Sequence, residues 1–293
     1  MSSQHTPDPN DLEYELLSPS FDWTFKQLFT DPLLLKNFLM SVLKWDYAPI
    51  ESIEFLDKEI LKNALTDKDS RLDLKVTTQD KMIINVEIQT SATPEYIERS
   101  LYYWAKIYEG QLKESQLFYS LLYPVVCVNI LTKNHKQIVD KSAYNKYSVR
   151  NDESGYKLTD RFSMHYIELP KFKESWIEDN DRNNWLTFMK DPKEVMMHAN
   201  HNEHIVKAVE KLQWLSQDPE KRAEYEARQK ALRDRASEIE FKFKEGREEG
   251  REEEKVLLAR KMISNGMDFE IISEYIDRPL SWIKRLTDKS ESQ

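Results

Sequence analysis

The stretch RLDLKVTTQDKMIINVEIQT, residues 71–90, decides the fold. Leu72, Leu74 and Val76 alternate with Arg71, Asp73 and Lys75. After a short break, Ile84, Val86 and Ile88 alternate with Asn85, Glu87 and Gln89. A period of two marks strands, whose successive side chains point to opposite faces. The break, Gln79-Asp80-Lys81, is polar and short enough for a hairpin turn, although it carries no glycine. With Asp80 at the centre, residue i opposes residue 160 − i. Asp73 then faces Glu87 on one sheet surface, roughly 5 Å away at Cβ. Gln89 lies on the same surface, two residues beyond Glu87. By alternation this polar surface is expected to look to solvent or into a cleft.

Two facing carboxylates repel each other unless a cation lies between them. A hard divalent cation such as Mg²⁺, which takes oxygen ligands, is one solution. The other is an exposed face on which Arg71, Lys75 and solvent neutralise both acids. Alternation alone does not choose between these.

Working outward, Asp22–Phe29 reads as a helix. A second helix opens at Pro32 and runs through Leu43, with Leu34, Leu35, Phe38, Leu39 and Val42 on one stripe. Residues 49–56 read as a strand and 57–70 as a charged connection. Beyond the hairpin, Pro94 stands at the start of a long helix to about Ser115. Its expected apolar face is Ile97, Leu101, Trp104, Tyr108 and Leu112. The opposite face shows Glu95, Arg99, Tyr103 and Lys106, which either reach back to the hairpin or form a solvated helix face. Residues 125–131 form an apolar run expected to be a central strand buried on both sides. Residues 163–169 are a further strand. The order strand, hairpin, helix, strand gives an α/β core: a mixed sheet with helices on both faces.

The chain has 293 residues, 40% of them hydrophobic and 32% charged, with a net charge of −9. A surface basic throughout is thereby excluded, though a local basic patch for nucleic acid is not. Cys127 is the single cysteine, so no intramolecular disulfide forms and a reducing cytoplasm is expected. Its apolar surroundings make it a small core residue rather than a nucleophile. The polar, acidic start lacks the pattern of a signal peptide, and no apolar run is long enough to span a bilayer, so no membrane partner is expected. His198, His201 and His204 recur every three residues. Without a cysteine or an obvious acidic partner they read as a solvated or capping cluster rather than a metal site.

Composition divides the chain into a loose or disordered segment 1–18, a domain 19–215, a charged long helix 216–255 and a small helical module 256–293. Tyr225, Leu232, Ile239 and Gly246 fall seven apart, with Gln229, Ala236, Phe243 and Gly250 interleaved. This a/d spacing fits a coiled-coil dimer or a helix lying on the parent domain. Gly246 and Gly250 share one helix face, which suggests close approach of another helix or a hinge. Asn265-Gly266 is a helix stop. The closing text IISEYIDRPLSWIKRL reads as a helix-turn-helix or as a plain helical hairpin for oligomer contacts. Trp282, Lys284 and Arg285 on its second helix, with Lys106, are candidates for nucleic-acid contact.

An Asp followed by Glu-x-Gln on the next strand resembles the PD-(D/E)XK nuclease core, with glutamine in place of lysine. More specifically, the chain resembles the Rpn family of recombination-promoting nucleases, also described as transposases. The match rests on Phe21-Asp22, Phe25-Lys26 and Phe29, on Arg71-Leu72-Asp73 and Asn85 to Gln89, on Arg99 to Tyr103, on Tyr123-Pro124-Val125, and on the GREEGREEE run at 246–254. The helix motif Arg-x-x-Tyr-Tyr is here Arg99, Tyr102 and Tyr103.

The resemblance implies a restriction-endonuclease-like core with an α-helical C-terminal extension, and a Mg²⁺-dependent DNA endonuclease active in recombination, with phage defence a further role. Asp73, Glu87 and Gln89 would be catalytic, and Asp73, Glu87 and the Ile88 carbonyl would be the metal ligands. Glutamine is common at this position in the resembled family. A neutral amide orients a water molecule but supplies no positive charge. Lys26, Lys75 and Arg99 are candidates to supply that charge, and Asp22 and Tyr103 to support the site. A DNA-binding or assembly protein that keeps the nuclease fold is the alternative. A transposase is a further alternative; a DDE transposase would need three acidic residues on an RNase H-like core, and the third has no clear position here. Assembly as a dimer through the C-terminal helices is expected.

Overall fold

The computed structural model describes residues 14–43, 48–56, 74–90, 93–112, 118–173, 180–197 and 203–288. Elements are numbered over these residues in chain order. The chain divides into two compact units, residues 1–225 and 226–293.

The first unit opens with α1 (Asp22–Phe29) and α2 (Pro32–Val42). Pro32 sets the first turn of α2, and the Asp31 carboxylate caps it by accepting from the Leu33 and Leu34 amides. Strands β1 (Ile53–Phe55), β2 (Leu74–Thr78) and β3 (Ile83–Gln89) form an antiparallel meander. Helix α3 (Tyr96–Glu109) then crosses over to β4 (Val125–Leu131), parallel to β3. The edge strand β5 (Tyr144–Tyr147), which carries no clear period in the sequence, is antiparallel to β6 (Phe162–Glu168), itself parallel to β4. The order across the sheet is β1-β2-β3-β4-β6-β5. This is the expected mixed α/β sheet.

The expected hairpin register holds. Leu74 pairs with Val86, Lys75 with Asn85, Val76 with Ile84 and Thr77 with Ile83, each pair summing to 160. The turn manages without glycine because Lys81 takes a φ of 60°.

One sheet face carries Val76, Ile84, Val86 and Val128 against α1, α2, α4 (Asp181–Lys190) and α6 (Glu203–Gln217); α5 (Pro192–Met197) lies between the last two in the chain. Phe29, Phe38 and Trp185 interlock there, with ring centroids 4.8 Å (Phe29–Phe38) and 5.5 Å (Phe38–Trp185) apart. The buried Trp185 indole donates to Asn37 Oδ1 at 2.8 Å. The other face, with Val125, Cys127, Met164 and Tyr166, lies under α3. Strand β4 is covered on both sides and buried at every residue, so Cys127 is a core thiol.

Three expectations change. The polar side of β3 is not a solvent face, because α3 covers it: Asn85 is 2% and Glu87 6% exposed. The inward stripe of α3 is turned by about one residue. Tyr96 and Ser100 are buried and Leu101 is 43% exposed. The sheet beneath is polar at Asn129 and Tyr166, and hydroxyls satisfy those groups where aliphatic side chains cannot. Residues 14–18 belong to the fold: Leu17 is buried, its amide donates to Ser216 Oγ at 3.0 Å, and Tyr14 Oη accepts from Gln217.

Helix α7 (Pro219–Ser264) runs unbroken through Gly246 and Gly250, where an added Cβ would meet nothing within 4 Å. Among the described residues no helix approaches these glycines closely. Tyr225 belongs to the first unit, its ring 4.9 Å from that of Phe21. In the second unit, Gly266 ends α7 at a φ of +74°, as the Asn265-Gly266 stop predicts. Helices α8 (Phe269–Ile276) and α9 (Leu280–Asp288) fold back on Ala259 and Met262 through Ile272, Ile276 and Ile283. Among the described residues no helix is long and apolar enough to cross a membrane.

Candidate active site

The parallel pairing of β3 with β4 sets Glu87 beside Asn129, and Asn129 beside Tyr166 on β6. These polar groups sit inside the sheet–helix layer, so each needs a partner. Asn85 Nδ2 donates to Glu87 Oε1 at 3.1 Å. Tyr96, at the first turn of α3, places its hydroxyl 2.9 Å from Asn129 Oδ1 and 3.5 Å from Glu87 Oε2. A phenol has one hydrogen, and the shorter contact takes it. Asn129 Nδ2 in turn donates to the His165 carbonyl at 3.2 Å. Glu87 is thus held by Asn85 of its own strand, while the Tyr96 hydroxyl of α3 serves Asn129.

At the end of β3, Gln89 Oε1 accepts from Arg99 Nη2 at 2.8 Å, and the guanidinium lies 4.9 Å over the Tyr96 ring. The β3 terminus is tied down by the Thr132 amide, which donates to the Gln89 carbonyl at 3.0 Å. Nearby, the hydroxyls of Ser100 and Tyr166 lie 2.5 Å apart, and burial pushes the Tyr166 phenol up to about 12. On β6, His165 is enclosed between the Tyr144 hydroxyl (2.7 Å) and Ser163 Oγ (2.8 Å) and has no path to solvent.

The structure brings together Glu87, Gln89 and Arg99 of the expected residues. Lys75 is half-buried on the same surface, paired with Asn85. Lys26 is buried on α1, and Asp22 is half-buried at its first turn. Tyr103 is half-buried beside Tyr102, and Lys106 is exposed. Trp282 is half-buried against the core of the second unit, while Lys284 and Arg285 are exposed on α9. Asp73, with Arg71 and Leu72, lies outside the described residues, as do His198 and His201; His204 adjoins Glu203 at 3.7 Å. Among the described residues no three His, Cys, Asp or Glu side chains converge on a possible metal position. Sequence reasoning missed Tyr96, Asn85 and Asn129. The signal available was a lone asparagine inside the apolar run VVCVNIL.

An antiparallel hairpin feeding a helix and a parallel strand, with an acid and an amide side by side on the second hairpin strand, defines an α/β protein of the PD-(D/E)XK nuclease type. A family model described as PD-(D/E)XK nuclease family transposase matches residues 19–242. The chain belongs to that family. No curated protein and no solved structure matches it significantly.

Proposed function

We propose that the protein is a Mg²⁺-dependent DNA endonuclease of the cytoplasm, acting in recombination and phage defence. The observation that carries this reading is the hairpin register, which runs up to Leu74 opposite Val86 and leads directly to Asp73 in the chain and Glu87 in the partner strand.

The residues suit a hard cation. Glu87 offers carboxylate oxygens, and Asn85 Oδ1 beside it is buried with no hydrogen-bond donor among the described residues. Odd-numbered β3 residues bond to β4, as Ile83 and Gln89 do, so the Ile88 carbonyl looks toward β2. Asp73, Glu87 and the Ile88 carbonyl would hold the ion, which supplies Lewis acidity and makes water ionisable near neutral pH. Gln89 orients the attacking water, and Asn85 keeps Glu87 in place. Exposed Lys106, Lys284 and Arg285 are the cations we assign to the DNA backbone. Leu232, Ile239 and Phe243, 49%, 61% and 69% exposed on α7, support dimerisation through the C-terminal helices.

A non-catalytic DNA-binding role is favoured by one observation: Glu87 is buried and its Oε1 accepts a hydrogen bond from Asn85. Incubation with plasmid DNA, with Mg²⁺ or with chelator, separates the two. Nicking by wild type that needs Mg²⁺ and is lost in Asp73→Ala, Glu87→Ala and Gln89→Ala is the expected result. DNA binding without cleavage by any divalent metal would leave the binding role.

A further inference from the structure

We infer that Arg99 is a positioning residue that, together with Gln89, reproduces a lysine in two pieces: Gln89 supplies the hydrogen-bond donor and Arg99 the positive charge. This rests on the nuclease reading above and decides which cation serves it. A guanidinium has donors only. With Arg99 Nη2 2.8 Å from Gln89 Oε1, the amide oxygen must face the arginine and the amide NH₂ must turn the other way. The glutamine can then only donate on that side, as an ammonium would. Its backbone cannot swing, because the Thr132 amide holds the Gln89 carbonyl.

Arg99 is itself fixed. Its guanidinium lies over the buried Tyr96 ring, and its Nε–H is enclosed with no acceptor among the described residues. The pair therefore depends on the Gln89 contact and on ring stacking rather than on a carboxylate partner, so the positive charge is not cancelled by a salt bridge among the described residues. The other candidates are less well placed: Lys26 lies on α1, which packs on the other sheet face, and Lys75 on β2 pairs with Asn85 rather than with the end of β3.

The test is steady-state cleavage of plasmid DNA in Mg²⁺ by the full chain. Arg99→Met, which keeps an aliphatic stem on Tyr96, should lower kcat by about 10²-fold, the scale for a lost electrostatic donor, with KM for DNA little changed. Adding Gln89→Lys to Arg99→Met should recover at least about tenfold, since donor and charge then sit on one side chain. Gln89→Glu guards against a misfolded Arg99 variant. It pairs with Arg99, so thermal stability should hold or rise, yet it has no donor and should cleave about 10²-fold more slowly. Wild-type kcat in Arg99→Met, no gain in the double variant, or full activity in Gln89→Glu would each overturn the inference while leaving the nuclease reading intact. Absence of cleavage by wild type would instead overturn the nuclease reading. The pair is then read by the Gln89 side-chain amide in ¹⁵N–¹H spectra, assigned by its loss in Gln89→Lys. An amide resonance unmoved by Arg99→Met overturns the contact.

Discussion

Replacing Tyr96 with phenylalanine removes one oxygen from the centre of the β3–β4–α3 layer and nothing else. Tyr96 is fully buried, so the ring keeps its packing and only polar terms change. The hydroxyl's 2.9 Å bond to Asn129 Oδ1 is lost, and no other described group donates to that oxygen. Asn129 is 1% exposed, so water does not replace the donor. Flipping the amide does not help, because its nitrogen already serves the His165 carbonyl. A buried acceptor left unpaired costs about 1–3 kcal/mol. The 3.5 Å approach to Glu87 is too long to add much. For a unit of this size each kcal/mol moves Tm by about 2–4 °C, so a fall of about 2–12 °C is expected. Urea denaturation followed by circular dichroism measures the free energy directly. Removing both partners, in Tyr96→Phe with Asn129→Leu, should recover much of the loss, because no orphaned group remains. Tyr102→Phe, at a ring 60% exposed, is the control and should change stability by less than about 0.5 kcal/mol. A Tyr96→Phe variant as stable as that control would refute the argument that this network bears on the fold.

Two further outcomes follow from backbone conformation and from proton linkage. Gly246→Ala and Gly250→Ala fill open space on a helix and should each stabilise α7 by up to about 1 kcal/mol, whereas Gly266→Ala, at φ +74°, should cost about 1–2 kcal/mol. Thermal unfolding with sedimentation decides this; destabilisation at 246 or 250 would mean that another chain packs there. The Tyr166 phenol, raised from 10 to about 12 by burial, keeps its proton in the folded state while the unfolded chain loses it. Stability from this residue should therefore be complete below pH 10 and fall as pH rises from 10 toward 12. Tyr166→Phe should flatten that part of the pH–stability curve, and an unchanged slope would contradict the assignment.

The hairpin was legible in the sequence because strand period and turn length are local properties. Alternation and a short polar break suffice to set Lys75 opposite Asn85, and the structure keeps that register. The apolar run 125–131 likewise announces a strand covered on both faces, since no residue in it favours water except Asn129. Alternation reports how polar a face is, however, and not what covers it. Asn85 and Glu87 look like solvent residues until α3 is laid over them, and α3 rests where Tyr96 and Ser100 find partners on β4 and β6, strands far along the chain. The pairing of Tyr96 with Asn129 spans 33 residues, and no periodicity links them. The same holds for the cation beside Gln89. Sequence offers Lys26, Lys75 and Arg99 on equal terms, and only the crossover of α3 above the end of β3 brings the guanidinium of Arg99 to the amide.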